Sequence, residues 1–270
     1  GATLVAFSGN PKSLLARIVD CCLLIPTSLP PSQSSYLKRQ LKGELAPLTP
    51  MGTMFELTTL FVISAIIGGL TTPMDPLDGF QQTAQRMIRT ARETLTLLAS
   101  SEKINTFVTL LQSYCTKEKR GQSVFCIGSG ISSIIAAMIA IRLSHLGMNV
   151  RSAYDWRFRR PGDLLICISG SGETSLTLRY LQMAKADQIY CIGITSWPNS
   201  PVAQSSNLAI QIKGRARRES GFERPIHTIA AHIPVFEYIT AVFLDAIVAQ
   251  LAHNLNISEG SMKRRHANVE

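Results

Sequence analysis

The residues best suited to chemistry fall in one short stretch, Ser169-Gly-Ser-Gly-Glu-Thr-Ser175. Five apolar residues, 164–168, lead into it, and a helical pattern over 176–186 follows. That order predicts a buried strand, a tight loop and the first turn of a helix. Gly170 and Gly172 let the backbone turn sharply and come close to a ligand. Amides at a helix start have no internal partner and can face an anion. The hydroxyls of Ser169, Ser171, Thr174 and Ser175 add short, neutral hydrogen-bonding groups. Such a loop suits a phosphate monoester. It is not a common nucleotide loop: no Lys precedes a Ser/Thr as the Walker pattern requires, and the third Gly of G-x-G-x-x-G is missing. Spacing alone leaves a second reading open, a Ser-rich turn in which Thr174 only caps the helix.

The elements that must position this loop follow from residue 80 onward. Apolar runs at 124–127, 149–153, 164–168, 189–194 and 208–212 read as strands. Helical patterns at 80–98, 104–114, 131–146 and 229–251 flank or separate them. Fully apolar strands alternating with helices predict an α/β protein with a parallel sheet covered on both faces. Ligand loops of such sheets lie at the carboxyl ends of the strands. Both Gly128-Ser129-Gly130 and the stretch from Ser169 to Thr174 fall there. The 131–146 helix is apolar on nearly every side, as for burial against a sheet.

Composition narrows the class. The chain has 270 residues, 46% apolar and 17% charged, which indicates a folded core and not a disordered chain. The net charge of +9 suits anionic partners, sugar phosphates among them. No zinc finger, RNP-type motif or regular basic–aromatic alternation supports nucleic acid as a partner. The six cysteines show no metal-ligand spacing, and Cys126, Cys167 and Cys191 sit inside apolar runs, which points to a reducing, cytoplasmic setting. The longest apolar stretch, 57–70, is short for a membrane span and carries Thr58, Thr59 and Ser64, so a buried helix is expected and no membrane partner.

The chain also repeats itself. Pro11, Ser13, Ala16 and Ile25 recur as Pro198, Ser200, Ala203 and Ile212 at one constant offset. Phe55, Glu56, Thr59, Ala65, Ile66 and Leu70 recur as Phe236, Glu237, Thr240, Ala246, Ile247 and Leu251 at a slightly smaller one. Residues 1–72 therefore read as the second half of a domain, 73–79 as a connector, 80–255 as a complete domain and 256–270 as a flexible basic tail. The half copy has no counterpart of residues 124–175, and either it belongs to a longer tandem protein or it is a natural half. Its exposed sheet edge is expected to pack against the second domain or another chain.

These segments together resemble the sugar isomerase (SIS) domain, most closely its 6-phospho-3-hexuloisomerase branch. The resemblance rests on Val124-Phe-Cys-Ile-Gly-Ser-Gly130, Arg142-Leu-Ser-His-Leu-Gly-Met-Asn-Val150, Gly162-Asp-Leu-Leu-Ile-Cys-Ile-Ser-Gly-Ser-Gly-Glu-Thr174 and Thr195-Ser-Trp-Pro-Asn-Ser200. In the half copy it rests on Asn10-Pro-Lys-Ser13 and Pro50-Met-Gly-Thr-Met-Phe-Glu-Leu57. It implies a flavodoxin-like three-layer sandwich around a five-stranded parallel sheet. It also implies homo-oligomers, dimers or tetramers, with sites near subunit interfaces, a phosphosugar ligand, and no metal or organic cofactor. Family chemistry moves a carbonyl between adjacent carbons through an enediol, which needs a carbon base and a proton shuttle on oxygen. By resemblance the base maps to Glu237, and to Glu56 in the half copy, and the shuttle to His145. The phosphate cradle maps to Ser129, Ser169, Gly170, Ser171, Gly172, Glu173 and Thr174.

Each mapped residue also has a purely structural role open to it. Glu237 and Glu56 favour the positive end of a helix, and His145 can cap a helix end before Gly147. His227 and His232 lie nearer to Glu237 in sequence. Two departures from the branch pattern stand out. Ile131 occupies the place of an Arg that would face an anion, and His232-Ile-Pro-Val-Phe-Glu237 replaces a Pro-x-Gly-Thr-x-Phe-Glu segment that the half copy keeps. Two functions are therefore carried forward, an aldose–ketose isomerase of ketohexose phosphates and a non-catalytic sugar-phosphate-binding or regulatory module.

Overall fold

A computed structural model of the chain describes residues 1–25, 54–116, 119, 121–152, 160–214 and 234–265. The loop expected at 29–44, the first residues of the closing helix expected from 229, and both His227 and His232 lie outside the described residues. Seven strands and nine helices are described: β1 (Val5–Ser8), α1 (Leu14–Ile18), β2 (Cys21–Leu24), α2 (Met54–Thr71), α3 (Pro76–Ala99), α4 (Glu102–Ser113), β3 (Val124–Ile127), α5 (Ile131–His145), β4 (Val150–Ser152), β5 (Leu164–Ile168), α6 (Ser175–Ala186), β6 (Tyr190–Thr195), α7 (Pro201–Ser205), β7 (Leu208–Gln211), α8 (Val235–Asn254) and α9 (Glu259–Lys263).

The main sheet has the order β4-β3-β5-β6-β7, and every pairing in it is parallel. β3 and β5 are central and buried at every position, as their unbroken apolar runs require. Alternate side chains serve two cores. Val124, Cys126, Leu164, Ile166 and Ile168 meet α4, α5 and α8 on one face. Phe125, Ile127, Leu165 and Cys167 meet α6 and α7 on the other. This is the five-stranded parallel α/β sandwich expected for the fold. Strand order reverses between β3 and β5, so the crevice at their carboxyl ends is the place where such folds bind ligands.

α5 and α8 are joined by a buried ion pair, Arg142 Nε to Asp245 Oδ1 at 3.2 Å. α5 is not enclosed on all sides as its composition suggested. Ile131, Ile134 and Ile141 are exposed along its outer face. The tail is not loose throughout. Ser258 caps α9 by accepting from the Ser261 amide, Met262 is fully buried, and Arg265 donates to the His145 carbonyl at 3.0 Å. An apolar side chain at 262 makes the difference, because burying it holds the short helix against α5.

The internal repeat holds at the level of single hydrogen bonds. β1 pairs parallel with β2 from Val5↔Cys21 to Ser8↔Leu24, as β6 pairs with β7 from Ile192↔Leu208 to Thr195↔Gln211. Ser13 and Ser200 each accept from the amide three residues on, Ala16 and Ala203. Ser8 and Thr195 each accept from the amide two residues on and meet the capping serine, at 3.1 and 3.5 Å. The Ile25 and Ile212 amides donate to the Ser8 and Thr195 carbonyls.

α2 is the counterpart of α8, and it docks on the second unit. Phe61 and Tyr238 have ring centroids 5.5 Å apart, and Leu57 joins the main core. Gly68 and Gly69 let α2 approach α3 so closely that a Cβ at Gly68 would collide with Thr83 and one at Gly69 with the backbone of Pro76 and Phe80. α2 falls within a residue of the expected helix end but is less buried than the sequence suggests. It spans 18 residues, and Ile63, Ile67 and Leu70 are exposed. By length and composition α2 and α8 are each apolar enough to cross a bilayer, with 28% and 72% of the respective windows buried. α2 has the same apolar make-up as the enclosed α8, but among the described residues fewer elements cover its outer side.

Candidate active site

The loop after β5 is built by its neighbours on both sides. Ser169 donates its amide to the Ile194 carbonyl, and Ser196 donates to the Gly170 carbonyl, so the end of β6 carries the loop. Val202 at the start of α7 donates to the Gly172 carbonyl. Gly172 has φ +65°, and a Cβ there would collide with Ser200 and lie 2.7 Å from Thr195 Oγ1. A glycine is needed on both counts. The Thr195–Ser200 turn is therefore the backing of the loop, a role that the sequence marked only as part of the family resemblance.

Thr174 does not cap α6 with its side chain. It occupies the N-cap position, but its hydroxyl meets Ser169 Oγ at 3.0 Å. The capping alternative is thereby corrected, because the fold brings a buried serine five residues away within reach. The Gly172 amide bonds to the Ser169 carbonyl and hydroxyl, and the Glu173 amide to Ser171 Oγ. Those two amides are committed within the turn. Among the described residues, the amides of Ser171, Thr174, Ser175 and Leu176 donate no hydrogen bond, which leaves the helix start open to an anion. Gly170 is buried, Ser171 half-buried and Glu173 exposed.

The loop after β3 lies one strand away. Gly130 has φ +59° at the start of α5, and a Cβ on Gly128 would collide with the Ser132 backbone, so α5 begins tight against the strand end. Ser129 is half-buried and Ile131 is 45% exposed. Glu237 stands in the first turn of α8, only 4% exposed, and accepts from Ser132 Oγ at 3.2 Å. Glu237 is thus tied to the first turn of α5, at the carboxyl edge of the sheet, on the face opposite α6. Nothing local in the sequence marks Ser132 as its partner.

The other two acid–base candidates are elsewhere. His145 is buried in the last turn of α5, and Ile131 opens that helix, so some 14 residues at about 1.5 Å each put His145 roughly 20 Å away, toward the amino edge of the sheet. The structure does not bring it to the loop after β5. Glu56 is exposed in the first turn of α2, and β1 and β2 carry no glycine loop beside it. The buried thiols are not nucleophiles. Burial pushes Cys126 to about 12 and Cys167 well above the usual range. A cavity of about 350 Å³ runs along α5 beside β4, lined by Cys126, Gly128, Ala137, Ser144 and Arg151 among others, and it meets the site only at Gly128. Among the described residues no cluster of His, Cys, Asp and Glu has the form of a metal site.

A parallel sheet with a glycine–hydroxyl loop and an open helix start at its switch point, and a buried carboxylate tied to the helix that follows the neighbouring strand, defines an α/β domain suited to a small anionic ligand. Residues 118–237 match the model of the SIS domain. The chain is 34% identical over 166 residues to an uncharacterized protein of Aeropyrum pernix, covering 57% of this chain and 76% of that protein. It is 31% identical over 152 residues to a 3-hexulose-6-phosphate isomerase of Methylomonas aminofaciens, covering 54% of this chain and 80% of that enzyme. The crystal structure of a Methanococcus jannaschii protein, for which a 3-hexulose-6-phosphate isomerase function is inferred, is similar with a TM-score of 0.55 at 23% identity, over 69% of this chain and 96% of that one, and shows the shared fold. The chain belongs to the SIS domain family, the family of these phosphosugar isomerases.

Proposed function

We propose that the chain is a sugar-phosphate isomerase of the aldose–ketose type whose substrates are ketohexose phosphates, the carbonyl moving between adjacent carbons through an enediol in the manner of 6-phospho-3-hexuloisomerase. The phosphate rests on the open amides at the start of α6, with Ser171 beside them. The carbon chain crosses the carboxyl edge of the sheet between β5 and β3. Glu237 removes the proton from the carbon next to the carbonyl and the electron pair moves into an enediolate; the former carbonyl oxygen takes up a proton, the neighbouring hydroxyl oxygen gives one up through solvent, and Glu237 returns a proton to the former carbonyl carbon. Only protons move, so the reaction needs no redox cofactor.

One observation supports this above the rest. A carboxylate that is 4% exposed is held by a hydrogen bond at the ligand edge of the sheet, across from a loop with open amides. Burial of a carboxylate costs free energy, and a helix start alone is served as well by an exposed one, as at Glu56. The test is a coupled assay with 3-hexulose 6-phosphate and its isomer on wild type and Glu237→Gln. Turnover by the wild type, lost by more than a hundredfold in the variant with binding retained, is the expected result. Sugar-phosphate binding without turnover by the wild type refutes the enzyme reading.

The second reading, a non-catalytic sugar-phosphate-binding or regulatory module, is favoured by Ile131. An exposed isoleucine stands where the branch has an arginine. That reading predicts thermal stabilisation by sugar phosphates and no effect of Glu237→Gln on binding. The exposed isoleucines of α5 support assembly into a dimer or tetramer of this chain, which light scattering on the eluted protein would show. Six free cysteines support a reducing, cytoplasmic setting.

A further inference from the structure

We infer that Ser132 is a positioning residue for Glu237, holding the carboxylate in the orientation that faces the substrate; this rests on Glu237 acting as the base. Serines in helices ordinarily bond a backbone carbonyl three or four residues back, and the neighbours of Ser132 do so. Ser133 donates to the Gly130 carbonyl at 2.6 Å and Ser144 to the Ile141 carbonyl at 2.7 Å. Ser132 instead donates across to Oε1 of Glu237, 105 positions away, and both residues are about 95% buried.

The backbone of Ser132 is fixed for this. Gly128 packs against its carbonyl so tightly that any Cβ at 128 would displace it, and the positive φ of Gly130 sets where α5 begins. At the other end, Gly214 leaves no room between the end of the β7 region and the Phe236 amide, which fixes the first turn of α8. The arrangement therefore runs from one strand end, through a glycine and a serine, to one carboxylate oxygen. A hydrogen bond to a charged group within a dry site orients it at little cost when the reaction occurs. The link also couples the loop after β3 to the first turn of α8, because Gly128 packs on Ser132 and Ser132 bonds Glu237.

The experiment compares Ser132→Ala, Ser133→Ala and Glu237→Gln with the wild type by steady-state kinetics on 3-hexulose 6-phosphate, by solvent deuterium incorporation into the sugar, and by thermal unfolding. Ser132→Ala is expected to lower kcat and the deuterium incorporation rate about tenfold or more, with KM within about twofold of wild type and a melting point lowered by only a few degrees. Ser133→Ala, whose hydroxyl bonds only backbone, is expected to leave kcat in place. A raised KM at unchanged kcat shows that Ser132 touches the ligand instead, and overturns the inference. Unchanged kinetics in Ser132→Ala beside an inactive Glu237→Gln overturns it while the isomerase stands. A wild type with no turnover overturns both. If Ser132→Ala melts early, Ser132→Thr, which keeps the hydroxyl, is expected to regain kcat; failure to do so in a folded variant also overturns the inference.

Discussion

Gly172→Ala is the sharpest test of how the loop is held. Residue 172 has φ +65°, a conformation that costs an ordinary residue about 1–2 kcal/mol. The added methyl also collides with Ser200 and comes 2.7 Å from Thr195 Oγ1. Neither can retreat freely. Ser200 caps α7 by accepting from Ala203 and is 4% exposed, and Thr195 ends a buried strand. Overpacking of this kind costs roughly 1–3 kcal/mol, so the substitution should destabilise by about 2–5 kcal/mol in all. For a domain of this size that lowers the melting point by about 5–15 °C. Gly130→Ala serves as the control. Its φ of +59° brings backbone strain, but nothing lies within 4 Å of its added Cβ, so only the first contribution applies. Circular dichroism melts of Gly172→Ala, Gly130→Ala, Ser200→Ala and the double variant Gly172→Ala/Ser200→Ala decide the matter. The steric argument requires the double variant to be more stable than the sum of its singles, since removing the hydroxyl relieves the nearest of the close contacts while the Ser200 Cβ and Thr195 Oγ1 stay in place. Additive effects, or a Gly172→Ala melt within about 2 °C of wild type, would refute it.

Other outcomes follow from the same structure. Asp245→Ala should destabilise in urea denaturation, by up to about 3–5 kcal/mol, by removing an ion-pair partner of the buried Arg142, and the apolar pair Arg142→Met/Asp245→Leu should recover most of it; an additive double variant would show that the pair is not coupled. Stability should fall as pH rises above about 9. Burial raises Cys126 and Tyr114 to about 12, and Cys115 and Cys191 to about 11, so the folded state holds protons that the unfolded chain releases from about pH 9 (thiols) and 10 (Tyr114) upward. A pH titration of the urea midpoint checks this, and a flat profile between pH 9 and 11 contradicts it. Exposed Cys21 should react with a thiol reagent at once, and Cys167 only on unfolding. Ser13→Ala and Ser200→Ala remove equivalent caps, each worth about 1 kcal/mol, yet only Ser200→Ala should weaken inorganic phosphate binding, measured by calorimetry, because only Ser200 backs a glycine loop.

What could be read from the sequence was what is local or periodic. β3 and β5 fall at the residues expected, because strands buried on both faces write unbroken apolar runs. The half copy was legible because the same turn chemistry recurs, and the structure repeats it bond for bond. The role of Thr174 was not decidable from spacing, since an N-cap position and a loop hydroxyl look alike until Ser169 is placed next to it. The exposed faces of α2 and α5 were missed for a related reason. An apolar pattern states what a helix is suited to, and not whether a partner element is present. His145 is a different case. The motif around it matches the family, but the length of α5 alone carries it to the far edge of the sheet, and that arithmetic needed no structure.

The two copies separate what the fold requires from what the site requires. The capped turn, the parallel strand pair and the long closing helix occur in both, so these features serve the architecture. Residues found only in the second copy are Gly128 to Gly130, Ser132 and the Ser169 to Thr174 loop. Between them stands one residue common to both, the glutamate in the first turn of the closing helix. Its setting differs completely. Glu56 is exposed, whereas Glu237 is buried against Ser132. A glutamate kept for helix polarity alone would not need burial, since the helix dipole favours an exposed carboxylate too and burial adds a desolvation cost. The difference between the copies is therefore a difference in what surrounds the carboxylate, and it coincides with the presence of the glycine loop across the sheet edge.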